Sequence, residues 1–398
     1  MSFCILQLHM KLIKREAEKS INLWLNLNKP KVLIVLGARQ VGKTTLIKSK
    51  LFGKKIKYLN LDIEVDRQSF LRSSSLTPQS AMNSFSNPEI LIVDEAQKLF
   101  ESGQIIKGWY DSKLPVKFIL SGSSSLNLLD QSAENLTGRN NKLYLPPLLF
   151  SEILYSQNWG ISEKNKKGME FYKNQTDALL FNNMVFGSYP EAIVTDNKQE
   201  YLTNLVSDYL LKDVLYSGLI KEPQLIRRLL SLLAYQSGSE VSVNEISNNL
   251  GISRITINRY LDLLERTFVI FRLPAFGNNP RKEIIKSQKI YFWDTGVKNA
   301  LVNEFNLDIN RSDIGSLWEN WIVAEFAKKI FLGGNIKKMY FWRTKIGSEV
   351  DLIIKDGDGK ILAFEIKWRG HKITKAFTSQ YNIPVQLINK DNFIDWLI

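Results

Sequence analysis

Cysteine is almost missing from this chain of 398 residues: Cys4 stands alone. One thiol excludes an internal disulfide framework and any cysteine-built zinc site, and it suits a reducing compartment. No apolar run reaches the length needed to span a bilayer, so no membrane partner is expected. Met1 to Met10 carry neither the basic start nor the small-residue cleavage site of a secretory signal, and a cytoplasmic location is expected. Internal repeats and low-complexity tracts are also lacking. Positive charge is what the chain has in excess, with 53 Lys and Arg against 40 Asp and Glu, a net charge of +13. Such an excess favours polyanions such as nucleic acid, nucleotides or anionic lipid, although dispersed lysines equally make an ordinary solvated face. The length exceeds one ordinary core, and two to four domains are expected.

Along the chain the apolar pattern changes character. Helical spacing of Ile13, Ala17, Ile21 and Trp24 predicts a helix from Lys11 to Leu27. Strands are predicted at Lys31–Leu36, Ile56–Leu61, Glu89–Val93, Val116–Leu120 and Lys142–Leu145. Helices fall between them, among them Lys43 to about Leu51 and Ser124 to about Leu136. This alternation predicts a parallel sheet covered on both faces. After Pro146–Pro147 the pattern turns helical to about Ile220, broken at Gly187–Pro190. A compact helical segment runs from Glu222 to about Arg272, Gly277 to Lys282 reads as a linker or wing tip, and the last hundred residues mix one long helix with strands.

The first strand leads into Gly37-Ala-Arg-Gln-Val-Gly-Lys-Thr44, which fits G-x-x-x-x-G-K-[ST] in the strand-to-helix setting the motif requires. Its glycines admit phosphate close to the backbone, and the exposed N–H groups and helix N-terminus supply positive potential. The expected ATP-binding set is Ser121 together with Gly37, Ala38, Arg39, Gln40, Val41, Gly42, Lys43, Thr44 and Thr45. Within it Lys43 reaches the β and γ phosphates and Thr44 ligates Mg²⁺. The run Glu89 to Glu95 is an apolar strand ending in two carboxylates. Asp94 is expected to support Mg²⁺ and Glu95 to polarise the attacking water. Ser121, at the end of the fourth strand, is placed to orient that water or sense the γ-phosphate, or else to cap a turn. Arg139 lies where AAA-type ATPases place an arginine finger, often across a subunit boundary, which makes a homo-oligomer a candidate assembly. A solvated surface arginine is the alternative.

Val243 to Leu250, Gly251 to Ser253 and Arg254 to Leu264 read as helix–turn–helix, followed by a strand at Phe268–Leu273. Arg254, Asn258 and Arg259 would face outward and meet a DNA groove, unless the module serves for packing or protein interaction. Farther on, Glu319 sits on a helix from Gly315 to Phe331, and strands are predicted at Met339–Arg343, Glu349–Lys355 and Lys360–Lys367. Alternation puts Val350, Leu352 and Ile354 on one face and Asp351, Ile353 and Lys355 on the other. An odd-numbered hairpin loop sets Asp351 opposite Glu365, with Lys367 beside them. Glu319, Asp351 and Glu365 would then hold Mg²⁺, and Lys367 would orient a nucleophile or steady a pentavalent phosphate. Acids and lysines also line any exposed strand.

These motifs, with Leu136-Thr-Gly-Arg139, Gly187-Ser-Tyr-Pro-Glu191, Tyr291-Phe-Trp-Asp-Thr-Gly296, Phe341-Trp-Arg343, Glu349-Val-Asp-Leu352 and Phe364-Glu-Ile-Lys367, resemble a prokaryotic AAA-type ATPase family over nearly the whole chain. The resemblance implies an α/β multidomain fold: an N-terminal helix (1–29), a P-loop parallel-sheet ATPase (30–150), a helical lid (151–221), a winged helix (222–286) and an α+β restriction-endonuclease-like domain of the PD-(D/E)xK class (287–398). It also implies a DNA-acting protein whose ATP turnover controls a metal-dependent nuclease with Asp351, Glu365 and Lys367 as catalytic residues. The alternative is an ATP-gated switch with a non-catalytic carboxyl-terminal module.

Overall fold

The computed structural model describes residues 12–122, 136–159, 161, 171–210, 222–277, 288–334 and 337–398. The chain divides into two compact units. One comprises Arg15–Pro146 and Arg266–Phe268; the other is built chiefly from Pro147–Glu265 and Val269–Ile398.

In the first unit, β1 (Val32–Leu36), β2 (Ile56–Asn60), β3 (Ile90–Asp94), β4 (Lys117–Gly122) and β5 (Asn140–Tyr144) form a sheet of order β2-β3-β4-β1-β5. Every neighbouring pair is parallel. All residues of β1 and β3 are buried, as uninterrupted apolar runs must be when helices cover both faces. Those helices are α1 (Glu18–Asn26), α2 (Lys43–Lys50), α3 (Glu64–Ser74), α4 (Pro78–Ser84) and α5 (Ser102–Asp111). Leu36, Leu91 and Val93 pack with Phe70 and Trp109 in one core, where the two rings meet edge-on at 5.3 Å. The expected helix from Ser124 lies outside the described residues.

Among the boundaries that differ from the sequence reading, two do so for identifiable local reasons. Helix α1 starts at Glu18 rather than Lys11, because the buried Arg15 guanidinium is drawn to the carbonyls of Val41 at 2.8 Å and Pro146 at 2.7 Å. Glu18 accepts the Arg15 N–H at 3.1 Å, which stops the helix from extending backwards. The strand expected from Phe268 begins at Ile270, since Phe268 is left-handed with φ 59°.

The second unit opens with α6 (Phe150–Ser156), α7 (Lys173–Phe186), α8 (Pro190–Val194) and α9 (Lys198–Asn204). It continues through α10 (Pro223–Tyr235), β6 (Glu240–Val241), α11 (Val243–Leu250), α12 (Arg254–Arg266), β7 (Ile270–Pro274) and β8 (Gln288–Phe292). The linker expected at Gly277 to Lys282 falls outside the described residues after 277. Then come α13 (Thr295–Val302), α14 (Ile314–Leu332), β9 (Lys338–Arg343), β10 (Glu349–Lys355), β11 (Ile361–Ile366), α15 (Ala376–Tyr381), β12 (Val385–Ile388) and α16 (Phe393–Leu397). Strands β6-β8-β7 form one sheet and β12-β11-β10-β9 another. Among the described residues no helix is long and apolar enough to cross a membrane.

Gly187 and Asp294 explain two of the sequence motifs. The Asp294 carboxylate caps α13 through the Val297 N–H at 3.0 Å and accepts the Ser188 N–H at 2.6 Å. A side chain at Gly187 would lie 2.0 Å from that carboxylate, and one at Gly296 would lie 2.3 Å from the Phe186 carbonyl. Both glycines are required by closeness of approach.

In the second sheet β10 and β11 pair with Leu352 facing Phe364, the register inferred from the hairpin. The expected alternation along β10 fails, however. Val350 pairs with Trp342 and Ile353 with Tyr340, so Asp351 and Leu352 together oppose the single residue Phe341. This bulge reverses the phase, and Val350 and Ile353 share one core with Tyr340, Trp342 and Phe377.

Candidate functional site

The carboxyl edge of the parallel sheet gathers the ends of β1, β3 and β4. Gly42, left-handed at φ 92°, turns the chain from the loop into α2, and Gln40 is also left-handed at φ 61°. Gly37 is needed for a different reason: a Cβ there would lie 2.2 Å from the Leu145 carbonyl oxygen beyond β5. Lys43 is buried, and its ammonium donates to the carbonyls of Gly37 at 2.9 Å and Ala38 at 2.8 Å. Ala38 and Val41 are buried, Arg39 is half-buried and Gln40 is exposed.

Asp94 is the hub of the site. Its carboxylate accepts from Thr44 Oγ1 at 2.7 Å, Tyr58 Oη at 2.5 Å, the Glu95 N–H at 3.0 Å and the Ser121 hydroxyl. Burial would raise its pKa, but the hydrogen bonds from Ser121, Tyr58, Thr44 and the Glu95 amide outweigh burial and hold it below the ordinary value. Glu95 moves the other way. Burial pushes its carboxyl up, Lys43 and Arg39 oppose the shift, and Asp94 adds to it. Glu95 is also left-handed, at φ 52°, an uncommon backbone state for a residue with a side chain. Gln97 Nε2 donates to its Oε2 at 2.5 Å. Thr45, the last residue of the expected set, lies in the first turn of α2 next to Thr44.

Arg15, Glu18 and Tyr58 also support this edge and were not singled out from the sequence. Arg15 fastens the loop at Val41, and Glu18 pairs with Lys50 of α2 at 2.5 Å. Tyr58 reaches Asp94 from β2 under the Lys48 ammonium, which lies 4.4 Å from its ring. A tyrosine at the centre of the neighbouring strand Ile56–Asn60 was the available signal for Tyr58. Arg139 is brought to none of these groups: it is partly exposed and paired with Asp111 at 2.6 Å.

The carboxyl-terminal residues fall into two groups. Glu319 of α14 and Asp351 of β10 converge on Lys289 of β8, at 3.0 and 3.9 Å from its ammonium, and Glu349 joins them at 2.5 Å. Tyr291 Oη donates to Glu319 at 2.7 Å. Burial disfavours the charged lysine, but Glu319, Asp351 and Glu349 outweigh it and hold Lys289 above the usual lysine range. Burial, the charge of Glu319 and, less strongly, that of Glu349 push Asp351 up to about 8, against Lys289 and the Ile366 N–H. Glu365 instead pairs with Lys367 at 2.7 Å and accepts the Thr374 N–H at 2.8 Å, while Lys367 also donates to the Lys372 carbonyl at 2.6 Å. Among the described residues no three carboxylate, histidine or cysteine side chains are grouped to hold a metal ion.

Residues 29–154 match the family profile of the AAA domain; 177–308 and 314–392 match two domains of unknown function, DUF8612 and DUF4143. An uncharacterized protein of Mycobacterium tuberculosis (strain ATCC 25618 / H37Rv) is 26% identical over 349 residues, covering 86% of this chain and 71% of that one. Another, from Methanocaldococcus jannaschii, is 26% identical over 341 residues, covering 81% and 72%. The solved Walker-type ATPase PABY2304 of Pyrococcus abyssi superposes with a TM-score of 0.50 at 15% identity, over 73% of this chain and 96% of that one. The first unit has a P-loop AAA-type ATPase fold. Its five-stranded parallel sheet carries the loop and the acid pair at the same edge, the arrangement in which phosphate meets backbone amides and a helix N-terminus.

The helix–turn–helix segment is present as α11 and α12. Gly251, left-handed at φ 69°, ends α11, and Ile257, Leu261 and Leu264 bury one stripe of α12. Arg254, Asn258 and Arg259 lie exposed on that helix, with Arg254 bonded to Asn244 at 3.2 Å.

Proposed function

We propose that this chain binds and hydrolyses ATP, with the second unit responding to the nucleotide. The observation that carries the reading is the meeting of Lys43 and Thr44 with Asp94 and Glu95 at one sheet edge. Lys43 is held by two loop carbonyls and exchanges them for β- and γ-phosphate oxygens, while the loop amides cradle the triphosphate. Thr44 and Asp94 offer hard oxygen donors 2.7 Å apart, which suits Mg²⁺, and the ion would offset phosphate charge there. Glu95, with its pKa raised beside the loop, takes a proton from the attacking water, and Ser121 steadies Asp94 from β4. Arg139 acts as a finger only by leaving Asp111 for the nucleotide of a neighbouring copy. Lys43→Ala tests the reading: ATP should cease to bind or turn over, and undiminished ATPase activity would exclude the site.

Within the second unit we read 151–221 as a helical lid, 222–286 as a winged helix and 287–398 as a PD-(D/E)xK-like domain. The exposed arginines of α12 and the net charge of +13 support DNA as partner. The sequence offered two roles for the last domain, metal-dependent cleavage and a non-catalytic module. Lys289 among the carboxylates favours the second, since Mg²⁺ does not fit the arrangement of Glu319, Asp351 and Glu365. A cleavage screen over duplex, forked, junction and single-stranded DNA with Mg²⁺ or Mn²⁺ separates the two; cleavage lost in Lys367→Ala would restore the nuclease.

A further inference from the structure

We infer that the ammonium of Lys289 is the resident cation of the nuclease-like domain and keeps divalent metal out of the Glu319–Asp351 site. The inference extends the non-catalytic reading above and assigns a role to a residue outside the expected ligand set.

Three features carry it. First, Lys289 is buried to 2% exposure in β8, a strand whose remaining inner residues are apolar or aromatic. A lysine is placed so deeply only when its charge is matched. The matching charges come from two other elements, Glu319 from α14 and Glu349 from β10, and Asp351 of β10 lies 3.9 Å from the same ammonium.

Second, the position is built. The side-chain amide of Asn320 accepts the Phe292 N–H and donates to the Phe292 carbonyl, both at 2.9 Å, which locks α14 to β8. Glu319, one residue earlier, is thereby aimed at Lys289 and Tyr291, which lie two apart on the same side of β8. The bulge at Asp351 and Leu352 turns Asp351 towards the same point, opposite Phe341, whose ring lies 5.7 Å from the ammonium. Three elements and one bulge therefore converge on a nitrogen.

Third, the space is taken. Mg²⁺ bonds carboxylate oxygens at about 2.1 Å and demands near-octahedral oxygen geometry. An ion bonded to both Glu319 and Asp351 would have to displace or sit against the ammonium, which lies 3.0 Å from one carboxylate and 3.9 Å from the other. Glu365, the remaining expected ligand, is turned to Lys367 and the Thr374 N–H. The ammonium supplies one positive charge without open coordination positions, so the cluster joins β8, α14 and β10 and activates no water.

The test is Mn²⁺ binding to the full chain without nucleotide, read by electron paramagnetic resonance. Wild type and Asp351→Asn should bind Mn²⁺ alike, because no site depends on Asp351. Lys289→Ala should gain a single Mn²⁺ per chain, and Lys289→Ala combined with Asp351→Asn should lose it. A Mn²⁺ site in the wild type that disappears in Asp351→Asn overturns the inference, as does a folded Lys289→Ala that gains none. Should Lys289→Ala not fold, the comparison of wild type with Asp351→Asn still decides the matter. DNA cleavage by a chain that binds no Mn²⁺ here would sink the non-catalytic reading and leave this inference standing.

Discussion

Replacing Arg15 by alanine should loosen the phosphate-binding loop from behind. The guanidinium donates to the Val41 carbonyl at 2.8 Å and the Pro146 carbonyl at 2.7 Å, and the residue is 7% exposed. A buried acceptor left without its donor costs about 1–3 kcal/mol. Two such acceptors, partly relieved by water entering the vacated space, give a loss of about 2–4 kcal/mol. In a domain of this size that lowers the melting midpoint by roughly 5–15 °C. Val41 belongs to the loop itself, so ATP affinity should fall as well, and added ATP should recover less of the lost midpoint than it adds to the wild type. Arg15→Lys, able to keep one of the two bonds, should fall between. Differential scanning fluorimetry with and without Mg²⁺–ATP measures both effects. An Arg15→Ala chain with an unchanged midpoint and unchanged ATP affinity would refute the clasp.

Glu95→Gln should leave ATP binding intact and slow its hydrolysis by about 10²–10⁴-fold, the usual worth of a positioned base; normal turnover would move the water-polarising role elsewhere. Asp351 has an ordinary pKa of 3.8 and is pushed up to about 8 in the folded chain, so it binds its proton more tightly folded than unfolded. Its contribution to stability is full below the lower value and is lost as pH rises through the upper one. Asp351→Asn should therefore flatten the fall of the melting midpoint across that window, and an unchanged slope would refute the shift. Charge reversal at Arg254 and Arg259 should weaken DNA binding and reduce its salt dependence by about one unit of log–log slope for each phosphate that α12 no longer neutralises. Equal binding by the reversed and native chains would remove α12 from the interface.

The parts of the sequence that announced themselves are those whose physics is local. The run VLIVL before Gly37 and the run ILIVD ending at Asp94 are uninterrupted apolar stretches with punctuation at their ends, so strand, loop and edge position were legible together. Arg15 was not, because its acceptors lie 26 and 131 residues away and nothing in the helical spacing around it signals them. The bulge in β10 was hidden because strict alternation has no way to register an extra residue, and Val350 and Ile353 came out on opposite faces. The partners Lys289 and Glu349 of Asp351 were missed because the ammonium that gathers them comes from β8, outside the strand pair read from the sequence. The helix–turn–helix was legible from Gly251 and the Ile257–Leu261–Leu264 stripe, since a left-handed turn and a helical repeat are both short-range signals.

The Asp294 carboxylate fills the space that a side chain on Gly187 would need, and the Phe186 carbonyl does the same to Gly296. Two stretches more than a hundred positions apart are thus halves of a single interlocking joint. Chimeras exchanged between relatives should tolerate a crossover on either side of both stretches, and fail when the breakpoint separates them. Evolution would be expected to inherit the two halves as a package.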